Sequence, residues 1–348
     1  MQSEQAAPLL AAVAVAAATT WALLPQWVRV AASKGLVGRD MNKADHRAVA
    51  EAGGFTAILG GVMGLYVLVI VYRYVYNIDF YTAEVYALTS LLLLSLAVGL
   101  LDDLLGWKKG LPRWVRVASM APAAMPLVAI KAGVPRVELP VVGTLNLGVL
   151  YPLVAVPVGV VGAANAFNMI AGYNGLEAGM ALILLASVAA YSAMKGLILT
   201  MAAALVMAAA VAVFLGYNWY PARVFPGNVF TYGVGSYYAG LVILGNFEKF
   251  GLLLFSLYFL KAALYFAAML ACGECRECLG RYEDFAIPRP DGTLAAPPCR
   301  TLSLTHYAIR VQERLRGRAT EAGVTLVILA IQAAISATLL ALAAAGRI

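Results

Sequence analysis

The chain has 348 residues, of which 62% are hydrophobic and only 12% charged, and its mean hydropathy is +0.82. That balance excludes a soluble globular enzyme. The net charge of +7 is read as the excess of Lys and Arg that cytoplasmic loops of membrane proteins carry, and no nucleic-acid partner is expected. Alanine-rich runs without short alternating segments also argue against a membrane β-barrel, so the fold class is an all-α polytopic membrane protein. Apolar runs of spanning length, about 20 residues each, are predicted near 8–30, 53–76, 82–101, 114–133, 149–170, 176–194, 197–217, 229–246, 250–272 and 322–345. About ten transmembrane helices are therefore expected. The first is not read as a cleaved leader, because Met1–Ala7 lacks a basic segment and carries Glu4.

With ten spans, both ends share one side, and the loops near 31–52, 102–116, 165–175, 217–228 and 273–321 share the other. Counting Arg29 with the first loop, that second set holds 18 of the 25 Lys and Arg residues. The positive-inside rule makes it cytoplasmic and places both termini outside. The chain divides into a transmembrane bundle over 1–272 (helices 1–9), a long cytoplasmic loop over 273–321, and a last helix within 322–348. On the exterior side, Val134–Leu147 alternates around Gly143 and is expected to form a short β-hairpin.

Polar side chains gather at the basic face. Residues 165–180 contain Asn165, Asn168, Asn174 and Glu177 between two apolar stretches, an arrangement that is costly at a membrane border unless these groups bind a ligand, a metal or one another. Asp102-Asp103 closes the third span, where two adjacent carboxylates meet an unfavourable helix dipole and repel each other unless a cation is near. Lys108, Lys109, Arg113 and Arg116 follow within a turn or two. Oxygen ligands for a divalent metal, beside cations for the phosphate oxygens it leaves uncovered, suit a phosphate-rich substrate. A transporter of lipid-linked sugars would expose polar groups to both faces, whereas here they fall on one.

Four segments carry a family resemblance: Gly38-Arg-Asp-Met-Asn-Lys43 with Glu51-Ala-Gly-Gly54, Leu101-Asp-Asp-Leu104, Asn165 to Gly179, and Asn218-Trp-Tyr-Pro-Ala-Arg-Val-Phe225. In order and spacing the chain resembles the polyprenyl-phosphate N-acetylhexosamine-1-phosphate transferases, most closely the archaeal and eukaryotic branch that moves GlcNAc-1-phosphate from UDP-GlcNAc to dolichyl phosphate. The resemblance implies that Asp102, Asp103 and Asn168 are catalytic, with Asn168 a Mg²⁺ ligand (Mn²⁺ as a substitute). It implies that Arg39, Met41 and Glu51 lie against the uridine, that Asn165 and Asn174 are supporting and uridine-side positions, and that Phe225 forms an apolar wall. Arg113 and Arg116 are equal candidates for a phosphate contact. Arg281 and Arg289, around Ile287-Pro-Arg, are expected to meet the diphosphate and the sugar. One departure stands out. Where the family pattern continues Gly-Asp with a second metal ligand, this chain has Gly227-Asn228; a neutral oxygen attracts a divalent cation less than a carboxylate does. A weak nucleotide-sugar binder, or use of another UDP-N-acetylhexosamine, is the alternative reading.

All four cysteines, Cys272, Cys275, Cys278 and Cys299, belong to the long-loop region. Their spacing suits structural Zn²⁺, with disulfides or reduced thiols as the alternative readings. In the same loop, Pro-Asp-Gly at 290–292 is turn chemistry between two extended pieces, and His306 to Arg318 reads as a basic amphipathic surface helix. Lys261, near the middle of the ninth span, needs an interior partner that the sequence does not name. Assembly as a homodimer stays open.

Overall fold

The computed structural model describes residues 3–105, 112–271, 284–297 and 303–348. Lys108, Lys109, Arg281 and the four cysteines lie outside the described residues, as does the side chain of Arg113. The elements run α1 (Ser3–Ser33), β1 (Val37–Arg39), β2 (Ala48–Ala50), α2 (Phe55–Val75), α3 (Thr82–Leu104), α4 (Arg113–Ser119), α5 (Ala121–Ala129), β3 (Arg136–Leu139), β4 (Gly143–Asn146), a π-helical turn at Tyr151–Ala155, α6 (Val156–Asn168), α7 (Leu176–Lys195), α8 (Ile198–Asn218), α9 (Gly227–Gly245), α10 (Glu248–Leu254), α11 (Ser256–Ala271), β5 (Ile287–Pro288), β6 (Leu294–Ala295), α12 (Leu304–Arg316) and α13 (Glu321–Ala344). Three two-stranded antiparallel hairpins, β1–β2, β3–β4 and β5–β6, are the only sheets among the described residues. In the second, Val137 pairs with Leu145 across the Val134–Leu147 stretch.

Every apolar run read from the sequence is helical, but not every one has the length and hydropathy of a span. Among the described residues seven helices do, and the bent pair α10–α11, broken by 54°, makes an eighth when counted as one span. The runs at 114–133 and 229–246 fall short of the ten expected. The first is a 16-residue apolar stretch, Trp114–Ala129, broken between α4 and α5. The second is α9, and burial explains its modest hydropathy. Every residue from Val229 to Ile243 is buried, so α9 faces other helices rather than lipid and can carry glycine, serine and tyrosine. α3 and α6 flank it. Gly99 of α3 lets the backbones close: a Cβ there would lie 2.6 Å from the Val229 amide nitrogen. Small residues drive helix association in a bilayer, where lipid tails remove the hydrophobic incentive.

This packing delivers the N-terminus of α9 and the C-terminal ends of α3 and α6 to one place. The segment 222–227 is stitched to the β2 exit: Phe225 N donates to Ala50 O at 2.7 Å, Gly53 N to Phe225 O at 2.9 Å and Gly54 N to Pro226 O at 3.0 Å. In the long loop, α12 is amphipathic, but His306 is buried rather than on the surface.

Candidate active site

Asp102 and Asp103, adjacent on α3, project to different partners. Asp103 Oδ1 accepts the backbone N–H of Asn228 at 2.8 Å and Oδ2 that of Val229 at 3.1 Å. It thus closes the open end of α9, where free N–H groups and the helix dipole favour an anion. Asp102 is buried and takes a guanidinium instead, with Arg116 Nε 3.0 Å from its Oδ2. The conflict of two carboxylates at a helix C-terminus is relieved once by a helix N-terminus and once by a cation.

Asn228 joins the helices. Its Nδ2 donates to Asp102 Oδ2 at 2.8 Å and its Oδ1 accepts Asn168 Nδ2 at 3.0 Å. Asp102, Asp103, Asn168 and Asn228 therefore touch through direct hydrogen bonds, although they come from three helices. Tyr232, buried one turn into α9, lies beside Asn168. As donors for a hard cation these groups are of the right type, all oxygens. Asn168, Asn228 and Asp102 are the residues that could hold one. Among the described residues no group of three or more His, Cys, Asp or Glu is placed to hold a metal ion, so protein charge on such an ion would be low and amide and substrate oxygens would share the load.

A second grouping adjoins the first. Glu51 packs over Gly38 beside the Phe225 ring, which a Cβ on Gly38 would meet at 3.0 Å. Burial, then the charge of Asp103, pushes the Glu51 carboxyl up to about 8. Arg39, on β1, is exposed and Met41 half-buried. Asn165 Nδ2 donates to Val161 O of its own helix at 2.8 Å.

Asn174 sits in a third, charged grouping. It is buried; its N–H donates to Glu321 Oε1 at 2.9 Å and its Nδ2 to Asp40 Oδ2 at 3.2 Å. Lys43 pairs with Glu321 and, at 3.3 Å, with Asp40. Next to it, Gly175 N donates to Asn218 Oδ1 at 3.2 Å. A pocket here is lined by Asn42, Lys43, Tyr220, Arg289, Gly292 and Glu321. Arg289 is half-exposed, 3.8 Å from Glu313. Lys261, buried in α11, has its partners in the long loop: Asp284, and Ser303 Oγ at 3.3 Å.

Asp40, Asn42, Asn218, Asp284 and Glu321 were not singled out from the sequence. Asp40 and Asn42 alternate with Arg39, Met41 and Lys43 in a segment that was, and a buried polar residue inside a polar loop leaves no periodic signal.

Residues 85–246 match glycosyl transferase family 4. A Saccharolobus solfataricus protein, provisionally named a UDP-N-acetylglucosamine–dolichyl-phosphate N-acetylglucosaminephosphotransferase, is 32% identical over 224 residues, 63% of this chain and 66% of that one. The Schizosaccharomyces pombe protein of the same activity name is 29% identical over 287 residues, 70% of this chain and 63% of that one. A phospho-N-acetylmuramoyl-pentapeptide-transferase of Streptococcus thermophilus is 27% identical over 267 residues, 73% and 77%. The chain thus spans just under two thirds of the length of the first two relatives.

Proposed function

Because the chain belongs to glycosyl transferase family 4, we propose that it transfers GlcNAc-1-phosphate from UDP-GlcNAc to a polyprenyl phosphate of the dolichyl type. An oxygen of the acceptor phosphate forms a bond to the β-phosphorus, the bond from that phosphorus to the oxygen bridging it to the α-phosphate breaks, and UMP leaves. The product is a lipid-linked GlcNAc diphosphate, the start of N-glycan assembly. The observation that carries the reading is the direct bonding of Asp102, Asp103, Asn168 and Asn228 across α3, α6 and α9.

Asp103 sets where α9 begins, so Asn228 is presented at a fixed height. Arg116, held against Asp102, is the phosphate-facing cation, and its planar fork suits phosphate oxygens. Mg²⁺ or Mn²⁺, held by Asn168, Asn228 and Asp102, would offset charge on the diphosphate. The acceptor phosphate is already ionised near neutral pH, so alignment and charge stabilisation outweigh proton removal. Arg39, Met41, Glu51, Phe225 and the Gly172–Asn174 turn are assigned the nucleotide side, and Arg289, with Arg281 by its place in the sequence, the sugar side. The chain crosses the bilayer ten times, α9 and α4–α5 included, with this face cytoplasmic and both termini outside.

The test is UMP release from UDP-GlcNAc and a polyprenyl phosphate at varied Mg²⁺, for the native protein and Asn228→Asp. The native protein should turn over. Asn228→Asp should reach half-maximal rate at a Mg²⁺ concentration roughly tenfold lower, about 1.4 kcal/mol of added attraction. Nucleotide binding without UMP release in both proteins would overturn the assignment.

A further inference from the structure

Three consecutive residues of the long loop form an anchored strap. Asp284 accepts from Lys261 and Ser303, and its carbonyl accepts Thr305 Oγ1 at 2.9 Å. The Phe285 carbonyl lies 3.1 Å from His306 Nε2, and its ring edges Gly172, where an added Cβ would sit 3.5 Å from Cε1. The Ala286 N–H donates to Asn42 Oδ1 at 3.1 Å. The other end of the same amide turns the opposite way: Asn42 Nδ2 donates to Gly172 O at 2.8 Å. Gly172 has φ +133°, backbone open only to glycine, and its N–H donates to Glu177 Oε1 at 3.1 Å. Asn42 is 4% exposed. One buried amide therefore joins segments 130 and 244 residues away from it.

We infer that Asn42 is a positioning residue for the nucleotide sugar, fixing the Gly172 turn and the 284–286 strap against each other so that both ends of the substrate meet one rigid pocket. The inference rests on the transferase reading above. The Gly172 turn lies between Asn168 and Asn174, and the strap leads directly into Ile287-Pro288-Arg289. A side chain of this length must offer a donor and an acceptor at once, which asparagine does and ionised aspartate, an acceptor only, does not. Two walls that are not fixed against each other must be ordered when the substrate binds, and that ordering is taken out of affinity. None of the hydrogen-bond partners of Asn42 belongs to the Asp102–Asn228 cluster, so its loss should be felt by the nucleotide sugar and not by the lipid phosphate.

Full-length protein in lipid nanodiscs tests this by steady-state UMP release with each substrate varied in turn. Asn42→Ala should raise KM for UDP-GlcNAc about tenfold, the equivalent of about 1.4 kcal/mol, and leave KM for the polyprenyl phosphate within about twofold. A fall in kcat with both KM values unchanged, or no change at all, overturns the inference. Asn42→Asp guards against an Ala variant that does not fold. Its ionised carboxylate keeps the Ala286 bond and loses the Gly172 one, and protonation restores the donor. The charged and titratable groups on the segments around it are Asp40, Lys43, Asp45, Glu177, Lys261, Asp284, Arg289, His306 and Glu321. The ratio of its KM for UDP-GlcNAc to that of the native protein should fall as pH is lowered; a ratio that does not fall overturns the inference. If the native protein releases no UMP, the transferase reading fails separately. UDP-GlcNAc titration calorimetry then decides: the dissociation constant should still rise about tenfold in Asn42→Ala, and an unchanged value sinks the inference.

Discussion

Glu51 carries the clearest pH signature. Its carboxyl is pushed up to about 8 by burial, with the Asp103 charge as the next cause, from an ordinary 4.5. Because the folded value exceeds the unfolded one, the native state binds the extra proton between about 4.5 and 8, and the contribution of this group to stability declines as pH rises through that window. Below about 8 it is a neutral hydrogen-bond donor beside Phe225 and Gly38, suited to a carbonyl of a base. KM for UDP-GlcNAc should therefore rise as pH passes 8 in the native protein. Glu51→Gln, which stays neutral, should flatten that rise while keeping KM near the low-pH value. A rise that persists in Glu51→Gln assigns it to another group. The signal for Glu51 in the sequence was its place in a quoted motif; the raised value was not legible there, since it depends on which groups bury it.

The bent pair α10–α11 and the start of α12 are held together by a polar contact inside an apolar bundle. Lys261 is 3% exposed and pairs with Asp284. Removing one partner strands a buried charge, so Asp284→Met should destabilise by about 3–5 kcal/mol, whereas the double variant Lys261→Met/Asp284→Met should recover most of that loss. Thermal unfolding of the singles and the double in detergent gives the coupling as a double-mutant cycle. Additive losses would mean that the two side chains do not depend on each other. The expectation that Lys261 needs a partner followed from the cost of a lone ammonium among apolar neighbours. The identity of that partner did not follow, because Asp284 is 23 residues away in sequence and belongs to a loop with no periodic pattern. The α12 helix was legible from its amphipathic spacing, yet His306 was expected on the membrane surface and is instead turned inward to the Phe285 carbonyl.

For the whole molecule, charge placement makes a statement about orientation. The cationic loops, the Asp102–Asn228 cluster and the β5–β6 hairpin are proposed to be cytoplasmic. Epitope tags at either end should be reached by antibody in intact cells, and a tag inserted after Gly292 only once the membrane is opened. Protection of the terminal tags would reverse the assignment. Burial sorts the helices in a way that hydropathy does not: α1 and α13 are 28% buried over their most apolar windows and α2 61%, whereas α9 is buried along its length. A helix wrapped by protein needs small residues more than apolar ones, which is why the tenth-span count fails at α9 when length and hydropathy alone are used.

Composition and order along the chain pointed to a membrane setting, to the helical class and to amides, carboxylates and cations clustered at the ends of apolar runs. Those are properties of each residue and its near neighbours: an apolar run must leave water, and a polar cluster among such runs must find partners. The folded structure alone decided who those partners are. Asp102 and Asp103 are one residue apart on a helix and so point in different directions, one to Arg116 and Asn228, the other onto the backbone of α9. Asn42, Asn174, Glu321 and Asp284 find their bonds across the chain for the same reason. A hydrogen bond requires two groups at roughly 3 Å with aligned geometry, and only the packing of distant helices brings them there.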